Sequence, residues 1–570
     1  CLPDFDSGST FAALLDAERG GAFGIEVDAS YTVTQAYIPN TNVLRTVYES
    51  PQGAFELIDL MPRHRENSHY YAPPELLRLL RLTRGAPVFT VRYQPRLGYA
   101  RHETVSESHV DFIKSRVTDG PYESLYLYTN LPHADVLEAR PVTLDEDAFL
   151  LLSYHQKLRP ITLERVILEV ERTKVYWLDW VERTIPCERW NAEIRRSALV
   201  LKLLSYQETG AIMAAVTTSL PEAVGEERNW DYRFCWIRDA TMTLNMLTWL
   251  GHFNVAENFF NYLLRVVPYK DNEVQVMYGI RGNKTLTEHT LDWLAGYKNS
   301  RPVRVGNAAY TQRQHDIYGV LLNAILHYIE AFKVDVATQE KLWTITRSLE
   351  RSVMRMWRQP DVSIWEFRTQ PAHFTFSKML CWVALDRGVK IAAALGQAEQ
   401  AAPWDREREL VRADIMANAW SEHVGAFTQR YGSDSLDASV LLMASYGFLE
   451  PDDPRFVSTV RSIYRELSQD GLMFRYKNDD DFGTPTSSFT VCSFWLVKAL
   501  HQIGETEEAE RLFTQLLGYA NPLGLFSEDL DFTTKEQLGN FPQGYSHLAL
   551  IDCALLLSGA EVARPPVRRS

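Results

Sequence analysis

Two glutamates stand in surroundings that set their proton affinities apart. In Ser363-Ile364-Trp365-Glu366-Phe367-Arg368 an acid lies between two aromatic side chains. Poor solvation raises its pKa and keeps it protonated near neutrality, so it can give a proton to a leaving oxygen. In Lys535-Glu536-Gln537 the acid has a cation beside it, stays ionised and suits the part of a base. One protonated and one ionised carboxyl across a sugar ring is the pair that hydrolysis of a glycosidic bond requires. Plainer readings exist for both: a Glu366–Arg368 surface pair, and a solvated Glu536.

A third segment, Trp230-Asp231-Tyr232-Arg233-Phe234-Cys235-Trp236-Ile237-Arg238-Asp239, ends in an Arg-Asp pair that opens a helix. Such a pair can be a capping carboxylate with its charge partner. Behind two Trp and a Tyr it also suits a pocket that stacks on and hydrogen-bonds to polyhydroxyl rings. Before another helix, Gly306 reads as a turn and Asn307 as an N-cap. Gln429-Arg430-Tyr431-Gly432-Ser433-Asp434 reads as a turn and a cap. Asp479-Asp480-Asp481 does not have EF-hand spacing and reads as a solvated turn. The sequence has no GxxxxGK[ST] phosphate loop, HExxH zinc helix or GxSxG elbow. His289, His373 and His547 do not pair at metal-ligand spacing, and no metal site is expected.

The elements that must position these residues change character along the chain. Residues 1–160 carry β-branched and aromatic runs cut by turns (31–38, 43–48, 87–93, 124–129), which predicts an antiparallel β-sandwich. Residues 75–82 and 148–156 fit short helices or buried strands equally. A polar, amphipathic helical linker is expected at 161–190. From 191 to 562 the apolar period is helical, with about twelve candidates: 191–205, 237–250, 254–267, 308–332, 339–357, 374–395, 404–420, 436–447, 454–467, 488–503, 506–517 and 543–558. Connections after the odd-numbered helices are long and those after the even ones mostly short. Six helical hairpins closed in a ring would gather the long loops at one mouth, an (α/α)6 barrel. Only such a barrel brings Glu366 and Glu536 together. Residues 563–570 read as a tail.

Composition narrows the partners. The 570 residues are 46% hydrophobic and 23% charged, as in an ordinary globular protein. The net charge of −14 disfavours nucleic acid and anionic membranes, and no run approaches the ~20 apolar residues of a membrane span. An uncharged substrate suits this balance, and homo-oligomerisation stays open. Six scattered cysteines without a CxxC pair fit thiols in a reducing compartment, hence a cytoplasmic protein. The chain begins at Cys1 rather than Met, which leaves room for a clipped start and a removed leader.

Together these segments resemble glycoside hydrolase family 15, the glucoamylase and trehalase group, in its prokaryotic form. The resemblance runs from Leu2-Pro3-Asp4-Phe5-Asp6-Ser7 through Trp236-Ile237-Arg238-Asp239 and the Pro302-to-Asn307 segment to Gly539-Asn540-Phe541-Pro542-Gln543. It implies an N-terminal β-sandwich, a helical linker and an (α/α)6 barrel that releases glucose from α-glucosides with inversion. By motif match Glu366 takes the place of the general acid and Glu536 that of the general base. Tyr232, Trp236, Arg238, Asp239 and Arg475, with Trp365 and Arg304, take the places of substrate-binding residues. The first expected substrates are α-1,4-glucans or maltooligosaccharides. The alternatives are α,α-trehalose and, beyond catalysis, a glucan-binding protein without turnover. No cofactor is required by the sequence; the phosphate or Mg²⁺ dependence of some family trehalases stays open. The chain departs from fungal glucoamylases in having Phe367, not Glu, after the acid. It departs from many prokaryotic relatives at Val320 and Ser487-Ser488.

Overall fold

The computed structural model describes residues 1–67, 69–267 and 274–559. The expected tail, 563–570, and the last expected barrel residues, 560–562, lie outside the described residues. The described chain divides into two compact units. One comprises Cys1–Thr184, Leu291–Val303 and Pro522–Gly524; the other comprises Ile185–Thr290, Arg304–Asn521 and the described residues from Leu525 onward.

The first unit is built on an eight-stranded antiparallel sheet. Its order across the sheet is Thr32–Tyr37, Leu44–Glu49, Gly53–Leu60, Glu75–Gly85, Ala148–Tyr154, Ser124–Thr129, Ile113–Val117, Thr104–Ser108. A three-stranded sheet, Ala22–Glu26, Val88–Gln94 and Pro141–Thr143, packs on it. The register aligns Leu57 with Leu80 and Leu80 with Ala148, and likewise Ile113 with Leu127 and Leu127 with Leu152. All of these belong to one buried core, so alternation within each strand points every second side chain between the sheets. The segments at 75–82 and 148–156 are strands. Ala148–Ser153 is buried on both faces, which is why its sequence shows no alternation. The linker is helix α1 (Leu163–Glu182), N-capped by Thr162 and grouped with the sheets rather than standing apart.

The second unit is a ring of helices: α2 (Asn191–Leu203), α3 (Ile237–Trp249), α4 (Phe253–Val266), α5 (Asp316–Ala331), α6 (Val336–Met356), α7 (Thr375–Ala394), α8 (Ala402–Asn418), α9 (Pro454–Leu467), α10 (Thr490–Gln502), α11 (Thr506–Leu517) and α12 (Gly544–Leu557). Helices α3, α5 and α7, the segment 436–447, α10 and α12 each pack on the next, and α12 packs back on α3. That contact closes an (α/α)6 barrel. The inner helices are apolar on all sides: every residue of α7 from Thr375 to Asp386 is buried. Outer helices such as α4 and α9 are amphipathic and bury one face.

Two expected helices differ. The 308–332 candidate splits into a 3-10 turn, Ala308–Thr311, and α5. Asn307 accepts from Ala309 N at 3.0 Å, but the chain turns extended at Gln312 before the helix proper begins. Segment 436–447 is wound as a 3-10 helix (Ala438–Leu442) followed by turns. Asp437 accepts from both the backbone N–H and the hydroxyl of Ser439, tightening the first turn. Either winding buries residues 438–443, so the apolar pattern did not separate them. Among the described residues no helix is long and apolar enough to cross a membrane. Cys235, Cys381, Cys492 and Cys553 are buried free thiols.

Candidate active site

The inner helices all start at one end of the ring, and there the long loops enclose a cavity of about 840 Å³. Five of the six long loops line it. The exception, 419–437, acts from behind: Trp365 Nε1 donates to Asp437 Oδ2 at 2.8 Å, and Gln429 Nε2 to the same oxygen at 3.1 Å.

Glu366 lines the cavity, and Trp236 Nε1 donates to its Oε1 at 3.0 Å. Burial raises its carboxyl pKa, and the nearby Arg238 guanidinium only partly opposes this. Its backbone is left-handed, φ +64°, as is that of Ser363 at φ +65°. Large L-residues avoid this region at a cost of roughly 1–2 kcal/mol, so the surrounding structure holds the side chain in place. Phe367 N donates to Val362 O at 2.9 Å, and the Phe367 ring stacks on Phe374 and Tyr476.

Glu536 is not where the sequence placed it. It is exposed, outside the cavity, on a turn held by the Asp531 carboxylate. Lys535, its expected charge partner, reaches Asp470 Oδ2 at 2.8 Å instead. The buried acid of this loop is Glu528, which sequence reasoning missed; it does not itself line the cavity but is hydrogen-bonded to Tyr232, which does. It is 0% exposed; Tyr232 donates its hydroxyl to Oε1, and Asn540 N donates to Oε2 at 3.1 Å. Gly539 makes room for it. A Cβ there would lie 2.7 Å from Glu528 Cβ and Oε2, on a backbone at φ +71°. Its immediate neighbours Ser527 and Asp529 are polar, so nothing in the local sequence marks it as Trp365 and Phe367 mark Glu366.

Tyr232 and Trp236 meet edge to face at 5.1 Å, so Glu366 and Glu528 hang from opposite members of one aromatic pair. Burial raises the Glu528 pKa. The Glu222 carboxylate adds to the rise, and Arg475 opposes it. Glu222 is a second missed residue: it accepts from Trp230 Nε1 at 3.2 Å and from Arg475 Nη2 at 2.9 Å.

Arg238 and Asp239 line the cavity from the first turn of α3, joined at 3.0 Å, and Arg238 Nη1 donates to Gln314 Oε1 and Ile364 O, each at 3.2 Å. Tyr232, Trp236, Trp365 and Arg475 also line it. Arg304 does not. Its guanidinium lies 4.4 Å from the centre of the Trp230 ring and donates to Glu227 O and Asn229 O, so it props a wall residue from outside. Arg368 lies 4.5 Å from the same ring. The Asp479–481 run is not a solvated turn: Asp480 accepts from Arg228 Nη2 at 2.7 Å and Tyr476 OH at 2.6 Å, and Asp481 holds the backbone N–H groups of Arg368 and Thr369. Among the described residues no group of His, Cys, Asp and Glu is arranged to hold a metal ion.

A closed helical ring whose mouth presents buried carboxyls among aromatic rings defines a glycoside hydrolase. The family model for glycosyl hydrolases family 15 matches residues 191–555, a trehalase-like N-terminal model matches residues 1–126, and the chain belongs to glycosyl hydrolases family 15. It is 39% identical to the trehalase of Mycolicibacterium smegmatis over 98% of this chain and 88% of that one. It is 33% identical to the trehalase of Thermoplasma acidophilum over 99% and 97%. The fold is also that of a bacterial glucoamylase solved with acarbose, at TM-score 0.71 and 12% identity over 99% of this chain and 91% of that one.

Proposed function

We propose that the enzyme hydrolyses α,α-trehalose with inversion, using Glu366 as acid and Glu528 as base. The observation that carries this reading is the pair of buried carboxyls joined through Tyr232 and Trp236. Protonated Glu366 gives its proton to the glycosidic oxygen as that bond breaks. Water attacks the anomeric carbon from the opposite face and passes its proton to Glu528, which acts from its ionised form although burial and the Glu222 carboxylate push its pKa up to about 8. Glu222 is the rival base, but Arg475 Nη2 donates to its carboxylate at 2.9 Å, whereas Glu528 is held by a hydroxyl and an amide. Arg238 and Asp239 are placed to hold the hydroxyls of the ring being cleaved.

The sequence-based preference for α-1,4-glucans gives way here to trehalose. Relatives named trehalase align along nearly the whole chain. Phe367, packed between Phe374 and Tyr476, also leaves no carboxylate beside the acid for a second 1,4-linked glucose. The test is an NMR time course. Inverting hydrolysis of trehalose releases one α- and one β-glucose at first, whereas a retaining enzyme releases two α-glucoses. Glucose from maltotriose but none from trehalose would return the enzyme to the glucoamylase reading.

A further inference from the structure

A second cavity, larger than the first, lies further along the axis of the same barrel and reaches solvent at Glu330 and Lys390. The catalytic pocket uses the first turn of α3, at Arg238 and Asp239; the second uses Asn245 and Trp249 of the same helix. At 1.5 Å per residue, Asn245 stands about 10 Å along the axis from Arg238. The other inner elements also contribute from beyond their first turns, except for Tyr545 at the start of α12, which lines both cavities. Tyr545 is thus the shared wall, and Trp495 packs against it edge to face at 5.7 Å from the side of the second cavity.

The chemistry of this cavity is that of a neutral, hydroxyl-rich ligand. Its cations already have partners: Lys498 meets Asp552 at 2.6 Å, and Lys390 and Arg387 share the single carboxylate of Asp386. Two polar groups on neighbouring inner helices are instead buried without a protein partner, Asn245 Oδ1 on α3 and His327 Nε2 on α5, the latter residue 8% exposed. Burial keeps the His327 imidazole neutral. Leaving such atoms unmatched costs about 1–3 kcal/mol each. A ligand that satisfies both must donate to the Asn245 oxygen, which every hydroxyl of a sugar can do and hydrogen phosphate can do through only one O–H. Trp249 and Trp495 offer rings for a sugar's C–H face.

We propose that this cavity is a second sugar site, in which the hydroxyls of a glucose unit engage Asn245 Oδ1 and His327 Nε2, behind the Tyr545 wall of the catalytic pocket. The product of the enzyme's own reaction is then a ligand for the interior of its barrel. The proposal needs only a glucose-releasing enzyme and stands whether trehalose or a glucan is the substrate.

The test is calorimetric titration of the full chain with D-glucose, beside Asn245→Leu and His327→Leu variants and a parallel titration with inorganic phosphate. The expected result is a class of glucose sites weakened about ten-fold or more in each variant, the effect of one lost hydrogen bond, while hydrolysis at saturating substrate persists. Glucose binding identical in all three proteins would overturn the proposal. So would phosphate binding that both variants abolish. Should either variant fail to fold, a crystal structure of the wild type with glucose decides: a pyranose between Asn245 and His327 supports the site, and a cavity holding only water refutes it.

Discussion

The indole of Trp236 and the carboxyl of Glu366, 130 positions apart, are joined by a 3.0 Å hydrogen bond. Trp236 is fixed by a two-residue strand, Cys235–Trp236, paired with Met277–Tyr278, while Glu366 hangs on the loop before α7. The acid is thus oriented by a different loop from the one that carries it, and its position depends on how α3, α5 and α7 pack on one another.

The assignment of the two carboxylates predicts unequal effects of three amide substitutions. Glu366→Gln and Glu528→Gln should each lower kcat by about 10²–10⁴-fold with native circular dichroism retained. Glu536→Gln should leave steady-state rates unchanged, because that side chain is exposed on a turn outside the cavity. A large loss in Glu536→Gln with none in Glu528→Gln would reverse the assignment.

Glu222 should tune the base. Its negative charge raises the proton affinity of Glu528. Glu222→Gln removes that charge and frees Arg475 from its nearest carboxylate, and both changes favour the ionised base. The acid limb of the kcat/KM profile, where the base must lose its proton, should move to lower pH. A limb that stays in place, or moves up, would detach Glu222 from the base.

Arg304 and Arg368 both lie against Trp230, a wall of the cavity. A cation–π contact contributes about 0.5–2 kcal/mol, so Arg304→Met should raise KM by roughly 2–30-fold with kcat little changed. Arg304 touches no reacting group, and a loss confined to kcat would contradict this role.

A buried acid away from the site gives a stability prediction. Glu350 on α6 is 0% exposed, and neither of its carboxylate oxygens has a partner. Burial raises its pKa well above the ordinary value near 4.3. A raised folded-state pKa makes stability highest below the unfolded value and lowers it as pH rises toward the folded value. Glu350→Gln should therefore melt like the wild type near pH 4 and progressively above it toward neutrality; parallel curves across that range would refute the point. Gly388 faces the same carboxyl, 1.8 Å from where its Cβ would stand. Gly388→Ala should cost about 1–3 kcal/mol in urea unfolding, and less in a Glu350→Ala background.

Much of this architecture was legible because the inner helices need apolar residues on all sides and the loops between them need none. The alternation of long and short connections sufficed to place one mouth on the barrel, and Trp365-Glu366-Phe367 announced a desolvated acid. The expected charge partner of Glu536 was misplaced because Lys535 sits next to it in sequence but turns to Asp470 in space. Glu528 is picked out by Tyr232 and Asn540, contacts that no local pattern contains. The split before α5 and the tight winding at 436–447 were hidden for a similar reason, since burial fixes which residues are apolar but not how the backbone between them is wound.

The left-handed backbone at Glu366 bears on how this chain can change over generations. Position 366 is disfavoured twice over for a glutamate, by its φ of +64° and by the burial of its carboxyl. Glycine would relieve both, so Glu366→Gly should be inactive yet at least as resistant to urea as the parent. Selection for turnover alone keeps the acid there. In a lineage that stops needing the reaction, this is among the first residues expected to drift, and the barrel would be no weaker for losing it.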